Sequence, residues 1–274
     1  MSKFLLLLML IFLSLIPFSI SASEDHMMID IEVNGTKIYT DSDPFIKKGT
    51  VYLPIRAVSE SLELSCSWDE DARFALVEDE DSTLRFLPDS NLCYVNGKKS
   101  VVKSYIEDGR IFVPVRFVSE NYGADVSWDE KYYRVLIEKD DVSVPSHLED
   151  KTYNQDEVYW LSQIIHAEAE GEPKKGLIAV GNVVLNRVSS KEFPNTIYGV
   201  IFDKKGGVQF EPVLNGSIYK KPSYESIEAA KLALSGENTA GKSLFFLNPK
   251  TAQSSWIVKN RKYYSSIGNH DFYL

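Results

Sequence analysis

The sequence predicts an α+β protein in two parts, a β-rich N-terminal domain and a C-terminal domain that opens with helices. The first observation is a repeat, since residues 49–78 return as residues 109–138 at a constant offset of 60 positions. The second is helical periodicity after residue 155. The third is charge. From Lys151 onward there are 15 Lys and Arg against 12 Asp and Glu, a net +3, whereas the whole chain carries −9, so the preceding part carries −12.

The first 23 residues have the order of a secretory signal peptide. Lys3 supplies a positive charge, residues 4–16 are almost all apolar, and small residues follow Pro17. The apolar run is shorter than the roughly 20 residues that span a bilayer, so we favour a cleaved signal over a membrane anchor. We expect cleavage between residues 21 and 24 and export of the rest.

The repeat domain is predicted to span residues 27–140 and to contain two sheet-plus-helix units. The copies read "GTVYLPIRAVSESLELSCSWDEDARFALVE" and "GRIFVPVRFVSENYGADVSWDEKYYRVLIE", and a "VNG" hairpin signal precedes each. Alternation of apolar and polar residues predicts strands. Pro54 and Pro114 stand where a short helix begins, and the "SWDE" that follows ends one strand and turns into the next.

These repeats resemble the copper amine oxidase N-terminal domain family over about residues 29–139, through "P-[IV]-R-x-V-S-E" and "S-W-D-E". The family name does not imply copper, because this span has no histidine and copper sites use imidazole. The repeated arginines and tryptophans either hold each unit together or belong to a cell-surface or spore-layer attachment module whose ligand is unknown. They are Arg56, Arg116, Trp68 and Trp128.

Composition excludes two classes of protein. Two cysteines, Cys66 and Cys93, are too few for a disulfide scaffold, and they are either two buried thiols or one bridge. The C-terminal domain has no clustered Lys and Arg, so we expect no nucleic-acid binding. Residues 141–155 are polar and include Pro145, which predicts a linker before a domain at residues 156–274.

The first helix of the C-terminal domain places one carboxylate on its buried face. The helix is expected to start near Asp156, since negative charge favours a helix N-terminus. Val158, Leu161 and Ile165 are spaced 3 and 4 apart, and Glu168 continues this stripe. Burial raises the pKa of a carboxyl group, so Glu168 is either a proton donor near neutral pH or a structural glutamate.

Other polar residues nearby are less specific. Glu170 is expected to point away from the Glu168 face, and Glu172 follows the expected helix end. The next helix, at residues 176–188, is apolar on nearly all sides but contains Asn182 and Asn186. Buried amides need partners, so these two either fix a neighbouring loop or line a polar cleft.

The C-terminal domain resembles the SleB/CwlJ-type cell wall hydrolases of spore-forming bacteria over residues 157–273. The motifs in order are "IIHAEAEGEPKKGLIAVGNVVLNRV", "FPNTIYGVIF", "VQFEPVLNGSIY", "SLFFLNPKTA", "SSWI" and "IGNHDFY". The resemblance implies a lysozyme-like α+β domain that cleaves peptidoglycan glycan strands, in the spore cortex during germination or in wall remodelling. It implies a secreted protein of the cell wall or spore envelope, with Glu168 of "HAEA" as the catalytic acid.

The scarcity of carboxylates favours lytic transglycosylation. Glycosidases usually need two carboxylates, and only Glu172 and Glu211 are candidates for the second, each better explained as a loop residue. A single acid suffices when the 6-hydroxyl of muramic acid attacks its own anomeric carbon. The alternatives are hydrolysis by the same site and a non-catalytic wall-binding or spore-assembly protein.

The predicted substrate-binding residues have amide or aromatic side chains that suit sugars, although core packing is the alternative for each aromatic residue. They are Gln209, Phe210, Asn248, Trp256 and Asn269. Phe246 and Tyr273 are further candidates for stacking. Family members often have a small hydroxyl residue after the Gln-Phe pair, where this chain has Glu211.

No metal and no cofactor are expected. A catalytic zinc ion takes three protein ligands, and the C-terminal domain has only His166 and His270, far apart in sequence. A cysteine nucleophile is also excluded there, since no cysteine follows Cys93. His166 is expected to be structural or on the surface, whereas His270 is a candidate for a hydrogen bond into the active-site region.

Overall fold

The computed structural model describes residues 28–88, 90–205, 209–252 and 255–274. The predicted signal peptide, residues 1–23, lies outside these residues. In the described part of the chain, no helix is both long and apolar enough to cross a membrane. Strands dominate before residue 140 and helices dominate after it, which confirms the α+β class.

Most elements of the N-terminal part recur at the offset of 60 residues, and the two Asn-Gly hairpins recur at an offset of 62. The first copy, together with the hairpin β1–β2 at its start, contains β1 (Asp30–Val33), β2 (Thr36–Lys37), β3 (Phe45–Lys47), β4 (Thr50–Pro54), α1 (Ile55–Ser61), β5 (Ser65–Asp69) and β6 (Phe74–Glu78). After β7 (Thr83–Phe86), the second copy contains β8 (Cys93–Val95), β9 (Lys98–Ser100), β10 (Tyr105–Glu107), β11 (Arg110–Pro114), α2 (Val115–Asn121), β12 (Asp125–Asp129) and β13 (Arg134–Glu138). Both helices begin directly after the predicted prolines, and both Asn-Gly turns connect hairpin strands.

The two repeats exchange their hairpins. β1 pairs in parallel with β13, and the sheet has the order β12-β13-β1-β2. The hairpin β8–β9 joins the first copy through β7, in the order β5-β6-β7-β8-β9. The third sheet, β10-β11-β4-β3, takes strands from both copies. The two sheet-plus-helix units are therefore present, but neither is complete without strands from the other.

The repeated arginine and tryptophan side chains lie outside the core of this part. Val58 and Val118 on the two helices are fully buried, whereas the side chain of Arg56 is 78% exposed and Trp68 is 37% exposed. These two residues therefore do not fill the core, and an attachment role stays a prediction. The two cysteines are not bridged: Cys93 is buried and Cys66 is half-buried. Burial raises the pKa of the Cys93 thiol to about 12.

The C-terminal part is a helical layer beside a small sheet. After a 3-10 turn (Ser146–Leu148), its elements are α3 (Gln155–Ala169), α4 (Lys174–Val188), α5 (Ile197–Ile201), α6 (Glu211–Asn215), a 3-10 turn (Ser217–Tyr219), α7 (Tyr224–Leu234), β14 (Phe245–Leu247), α8 (Trp256–Asn260), β15 (Tyr263–Ile267) and β16 (His270–Tyr273). The sheet order is β14-β16-β15. Asn154 and Glu157 form a reciprocal capping box at the start of α3, so the helix begins one residue before the expected start near Asp156.

A buried lysine fixes α7 against the N-terminal part. Lys231 is fully buried, and its Nζ lies 2.9 Å from an Asp30 carboxylate oxygen. The same Nζ donates hydrogen bonds to the carbonyl oxygens of Met28, Tyr132 and Tyr133, at 3.2, 2.8 and 3.3 Å. Every direction of the ammonium group therefore has a partner from the other part of the molecule.

The predicted linker carries packing residues as well as polar ones. Leu148 and Tyr153 are buried, and the Tyr153 hydroxyl donates to Asp30 at 3.0 Å. The Lys37 ammonium lies 3.3 Å from the centre of the Tyr153 ring. Residues 141–155 thus belong to the junction between the two parts, while the domain bounds themselves stay a prediction.

Candidate active site

A cleft of about 860 Å³ opens between the end of α3, α4, α6, β14, α8 and β16. Its lining combines carboxylates with aromatic rings, a pattern suited to a polar polymer with flat apolar faces. The residues that concern its chemistry are Glu168, Glu170, Glu172, Arg187, Gln209, Phe210, Glu211, Phe246, Asn248, Trp256 and His270.

Glu168 lies in this cleft as its position on α3 predicted. The residues that precede it on the stripe, Val158, Leu161 and Ile165, are fully buried, whereas Glu168 is half-buried. Within the described part of the chain, its carboxyl group has no hydrogen-bond or ion-pair partner. Burial and then the negative charge of Glu211 raise the pKa of Glu168 to about 7, with Arg187 acting in the opposite direction. Glu168 can therefore hold a proton near neutral pH and release it.

Arg187 is a residue of the cleft that the sequence did not single out. It is buried on α4, and its Nε donates to the carbonyl oxygen of Leu244 at 2.7 Å. Its Cζ lies 5.0, 5.1 and 5.5 Å from the ring centres of Phe193, Phe210 and Phe245, which we call the ring cage. The cage comes from three distant segments, so no local motif indicated it.

Glu172 holds a turn instead of facing the substrate with a free carboxylate. Its two oxygens accept hydrogen bonds from the backbone N–H and the side-chain amide of Asn269, both at 2.9 Å. Burial raises the pKa of Glu172, but these two bonds together with the charges of His270 and Lys250 outweigh it and leave the pKa below its usual value. The contact is close, because a Cβ atom at Gly268, whose φ is +61°, would overlap the Glu172 carboxylate.

Glu211 is the remaining carboxylate that faces Glu168. It is exposed in the first turn of α6, directly after Gln209 and Phe210. Glu170 ends α3 and is exposed, with an oxygen 3.8 Å from Nε2 of His166. Of the two, Glu211 is the one whose charge raises the pKa of Glu168.

The cleft brings together most of the predicted substrate-binding residues. Gln209, Phe210, Asn248 and Trp256 all line it, and Trp256 is 51% exposed. Asn269 does not line it, because its amide is bonded to Glu172 and its Oδ1 accepts from Lys250 at 3.3 Å. A sugar contact by Asn269 has no support in this geometry.

The candidate aromatic and histidine residues divide in the same way. Phe246 lines the cleft, whereas Tyr273 is buried with its ring 5.7 Å from that of Tyr263. His270 is a buried wall residue whose pKa is lowered by burial, against the opposing charges of Glu172 and Asp271. His166 is buried, and its Nδ1 accepts a hydrogen bond from the backbone of Ser223 at 3.4 Å, which fits the structural role expected for it.

The two asparagines of α4 fix a loop and do not line the cleft. Asn182 donates to the carbonyl of Glu237 and accepts from the backbone of Thr239, both at 2.8 Å. Asn186 donates to the carbonyls of Gly241 and Ser243 at 2.9 and 3.0 Å. Of the two alternatives that the sequence left open, the loop is the one observed.

No group of three or more His, Cys, Asp and Glu side chains that could hold a metal ion is found in the described ranges.

Comparison with known proteins places both parts of the chain. The cell wall hydrolase family matches residues 171–273, and the copper amine oxidase N-terminal domain family matches residues 32–137 and 99–167. A spore cortex-lytic enzyme of Bacillus cereus is 38% identical over 120 residues, which are 44% of this chain and 45% of that protein. The chain thus spans under half the length of the cortex-lytic enzymes that it matches first.

A shorter relative is covered more fully. The cell wall hydrolase CwlJ of Oceanobacillus iheyensis is 36% identical over 106 residues, which are 36% of this chain and 74% of that protein. Among solved structures, the catalytic domain of the germination-specific lytic transglycosylase SleB from Bacillus anthracis has 37% sequence identity, with 48% of this chain and all of that chain covered and a TM-score of 0.41. Both resemblances inferred from the sequence motifs are confirmed.

Proposed function

The chain belongs to the cell wall hydrolase family, and we propose that it cleaves the glycan strands of peptidoglycan with Glu168 as the acid catalyst. The observation that carries this proposal is the Glu168 carboxyl group, which lies unpaired among the described residues in a large cleft with a pKa of about 7. A group with this pKa is half protonated near neutral pH, where it is both an effective acid and an effective base.

The reaction begins with proton transfer. Glu168 gives its proton to the glycosidic oxygen, and the bond between that oxygen and the anomeric carbon breaks. The 6-hydroxyl of the same muramic acid residue then attacks the anomeric carbon, and its proton passes to the Glu168 carboxylate. The product has a 1,6-anhydro ring, and Glu168 returns to its starting state.

The state of Glu172 supports this route over hydrolysis. Hydrolysis needs a second carboxylate as nucleophile or base. Glu172 accepts two hydrogen bonds from Asn269, and its lowered pKa makes it a weaker base for either role. A substrate that supplies its own nucleophile has no such requirement.

Glu211 is the observation that favours hydrolysis as the second candidate. It lines the same cleft, and its charge is felt by Glu168. In this alternative, Glu211 activates water or attacks the sugar while Glu168 keeps its role as the acid. A protein that only binds wall glycan is the third reading, and the poised state of Glu168 speaks against it.

Mass spectrometry of peptidoglycan digested by the purified protein tests all three readings. We expect 1,6-anhydromuramic ends, and Glu211→Gln is expected to keep making them. Digests dominated by reducing ends that disappear with Glu211→Gln would establish hydrolysis. Intact strands after prolonged incubation, with both cortex and vegetative wall as substrates, would leave glycan binding alone.

We propose spore cortex or cell wall as the substrate and the extracellular wall or spore envelope as the location. The cortex-lytic names of the relatives and the signal-like N-terminus support this. We further propose that residues 27–140 act as an attachment domain and residues 156–274 as the catalytic domain, supported by the separate family matches.

A further inference from the structure

Arg187 is a buried cation that the reaction described above does not use. A buried guanidinium ordinarily pairs with a carboxylate, because an unpaired charge is costly to bury. Arg187 is 5% exposed, yet within the described part of the chain it forms no ion pair and its Nη1 has no hydrogen-bond partner. The ring cage and the Leu244 carbonyl hold it instead. Such an arrangement fixes the place of a charge without neutralising it.

We propose that Arg187 is a positioning residue for Glu168: its caged guanidinium stabilises the carboxylate that Glu168 becomes after proton donation, without pairing with it in the resting enzyme. This inference rests on the proposed role of Glu168 as the acid. Both side chains line the same cleft, and their opposite charges act on each other.

The absence of a direct ion pair between the two described side chains is what makes the arrangement useful. A direct ion pair would lower the pKa of Glu168 well below neutral and leave no proton to donate. Without the Arg187 cation, the new carboxylate would share the cleft with the carboxyl groups of Glu170, Glu172 and Glu211. His270 also lines the cleft, and Asp203 lies on the side of Arg187. Two further cations act nearby, Lys250 on Glu172 and Arg261 on the rings of Phe245 and Trp256.

The ring cage also explains why the charge persists. Burial lowers the pKa of Arg187 to about 10, against the opposing influence of Glu168 and Asp203, so the group is still a cation at neutral pH. The faces of aromatic rings attract cations and cannot accept a proton, so the cage holds the guanidinium without competing for its charge.

The test compares Arg187→Met with Arg187→Lys in the full chain. Methionine fills the cage without a charge and contacts rings favourably, whereas lysine keeps the charge. The pKa of Glu168 is measured by NMR titration of ¹³C-labelled glutamate carboxyl groups, with Glu168→Gln assigning the signal. For Arg187→Met we expect a midpoint higher by about one pH unit and a kcat on wall glycan at least tenfold lower. Arg187→Lys is expected to stay close to the natural protein in both measurements.

Phe193→Leu is the matched structural control, since it loosens the cage and leaves the charge in place. It is expected to lower stability with little change in the Glu168 midpoint. The proposal is overturned if folded Arg187→Met has an unchanged midpoint, or if Arg187→Met and Arg187→Gln both fail to fold, since Arg187 would then serve the fold alone. Failure of the proposed function is distinct, because the titration reads Glu168 even in a protein that cuts nothing.

Discussion

Two buried cations show how differently the junction and the cleft are constructed. At the junction, Lys231 meets Asp30 and three carbonyl oxygens, so the charge is fully compensated. In the cleft, Arg187 has one carbonyl partner and a ring cage, and the nearby Glu168 has no partner among the described residues. Compensated charges fix one arrangement of a structure, whereas uncompensated ones are retained where they serve chemistry.

The largest expected effect is on the cleft. Glu168→Gln should lower the rate of glycan cleavage by 100-fold or more, because an acid catalyst typically contributes about 10² to 10⁴ in rate. Release of glycan fragments from purified wall measures it. The control is Glu225→Gln, which removes an exposed carboxylate from α7 of the same domain. A Glu168→Gln protein that still lyses wall at a near natural rate would remove Glu168 from the mechanism.

The next effect belongs to the junction. Lys231→Met should lower the free energy of unfolding by about 3 to 5 kcal/mol, because it leaves Asp30 buried without its main cation. Urea unfolding measures it. Lys221→Ala removes a second ion pair across the same junction, but that pair is 3.1 Å long with both side chains about two-thirds exposed, so we expect at most about 1 kcal/mol. Equal losses from the two variants would contradict the comparison.

Protonation of Glu168 makes the free energy of unfolding depend on pH, because burying the charged carboxylate in the cleft is unfavourable. Its pKa is about 7 in the folded protein, above the ordinary glutamate value of 4.5. The stability that it contributes is therefore complete below about pH 4.5 and is lost as pH rises through 7. Glu168→Gln should thus raise the free energy of unfolding at pH 8, on the order of 1 to 3 kcal/mol, with little change at pH 4. The rate of glycan cleavage should also fall as pH rises through 7, where Glu168 loses its proton. A stability gain of equal size at both pH values would disprove the assignment of the effect to the Glu168 charge.

A smaller effect is expected when the C-terminal domain is produced without the rest of the chain. We expect the fragment 156–274 to fold and to cleave glycan, but with lower stability than a fragment 153–274. The longer fragment keeps Asn154, whose capping box with Glu157 is worth about 1 kcal/mol. Thermal unfolding of the two fragments measures the difference. If both are folded yet inert on glycan that the full chain cuts, the repeats belong to the active site.

Chelation should have no effect at all on either region. The proposed chemistry runs on Glu168 alone, and no candidate metal cluster occurs among the residues that the structure describes. Cleavage rates with and without EDTA should agree within error. Loss of activity that zinc or calcium restores would show that a metal takes part.

The sequence predicted those features that depend on residues close together in the chain, and it did not predict those that depend on distant segments. Glu168 was predictable, because helical periodicity places it on the buried stripe of α3 within four turns. The prolines and Asn-Gly turns of the repeats were predictable for the same reason. The partner of a hairpin is not encoded locally, so the exchange of β1 and β8 between the repeats was not foreseen. Arg187 needed rings from three segments, and Asn269 was expected at the sugar although its amide binds Glu172.

The exchange of hairpins has a consequence for how the chain acquires its structure. β1 needs β13 as its neighbour, and Asp30 pairs with Arg134 about a hundred residues later. A domain whose sheets are completed by distant pairings, β1 with β13 and β4 with β11, folds slowly, since the chain must close long loops before those contacts repay the lost entropy. The first repeat therefore cannot complete its sheets by itself. Its opening strand can pair with β2 at once but lacks its parallel neighbour β13 until synthesis has passed the second repeat, and half of the domain should not persist as a folded species.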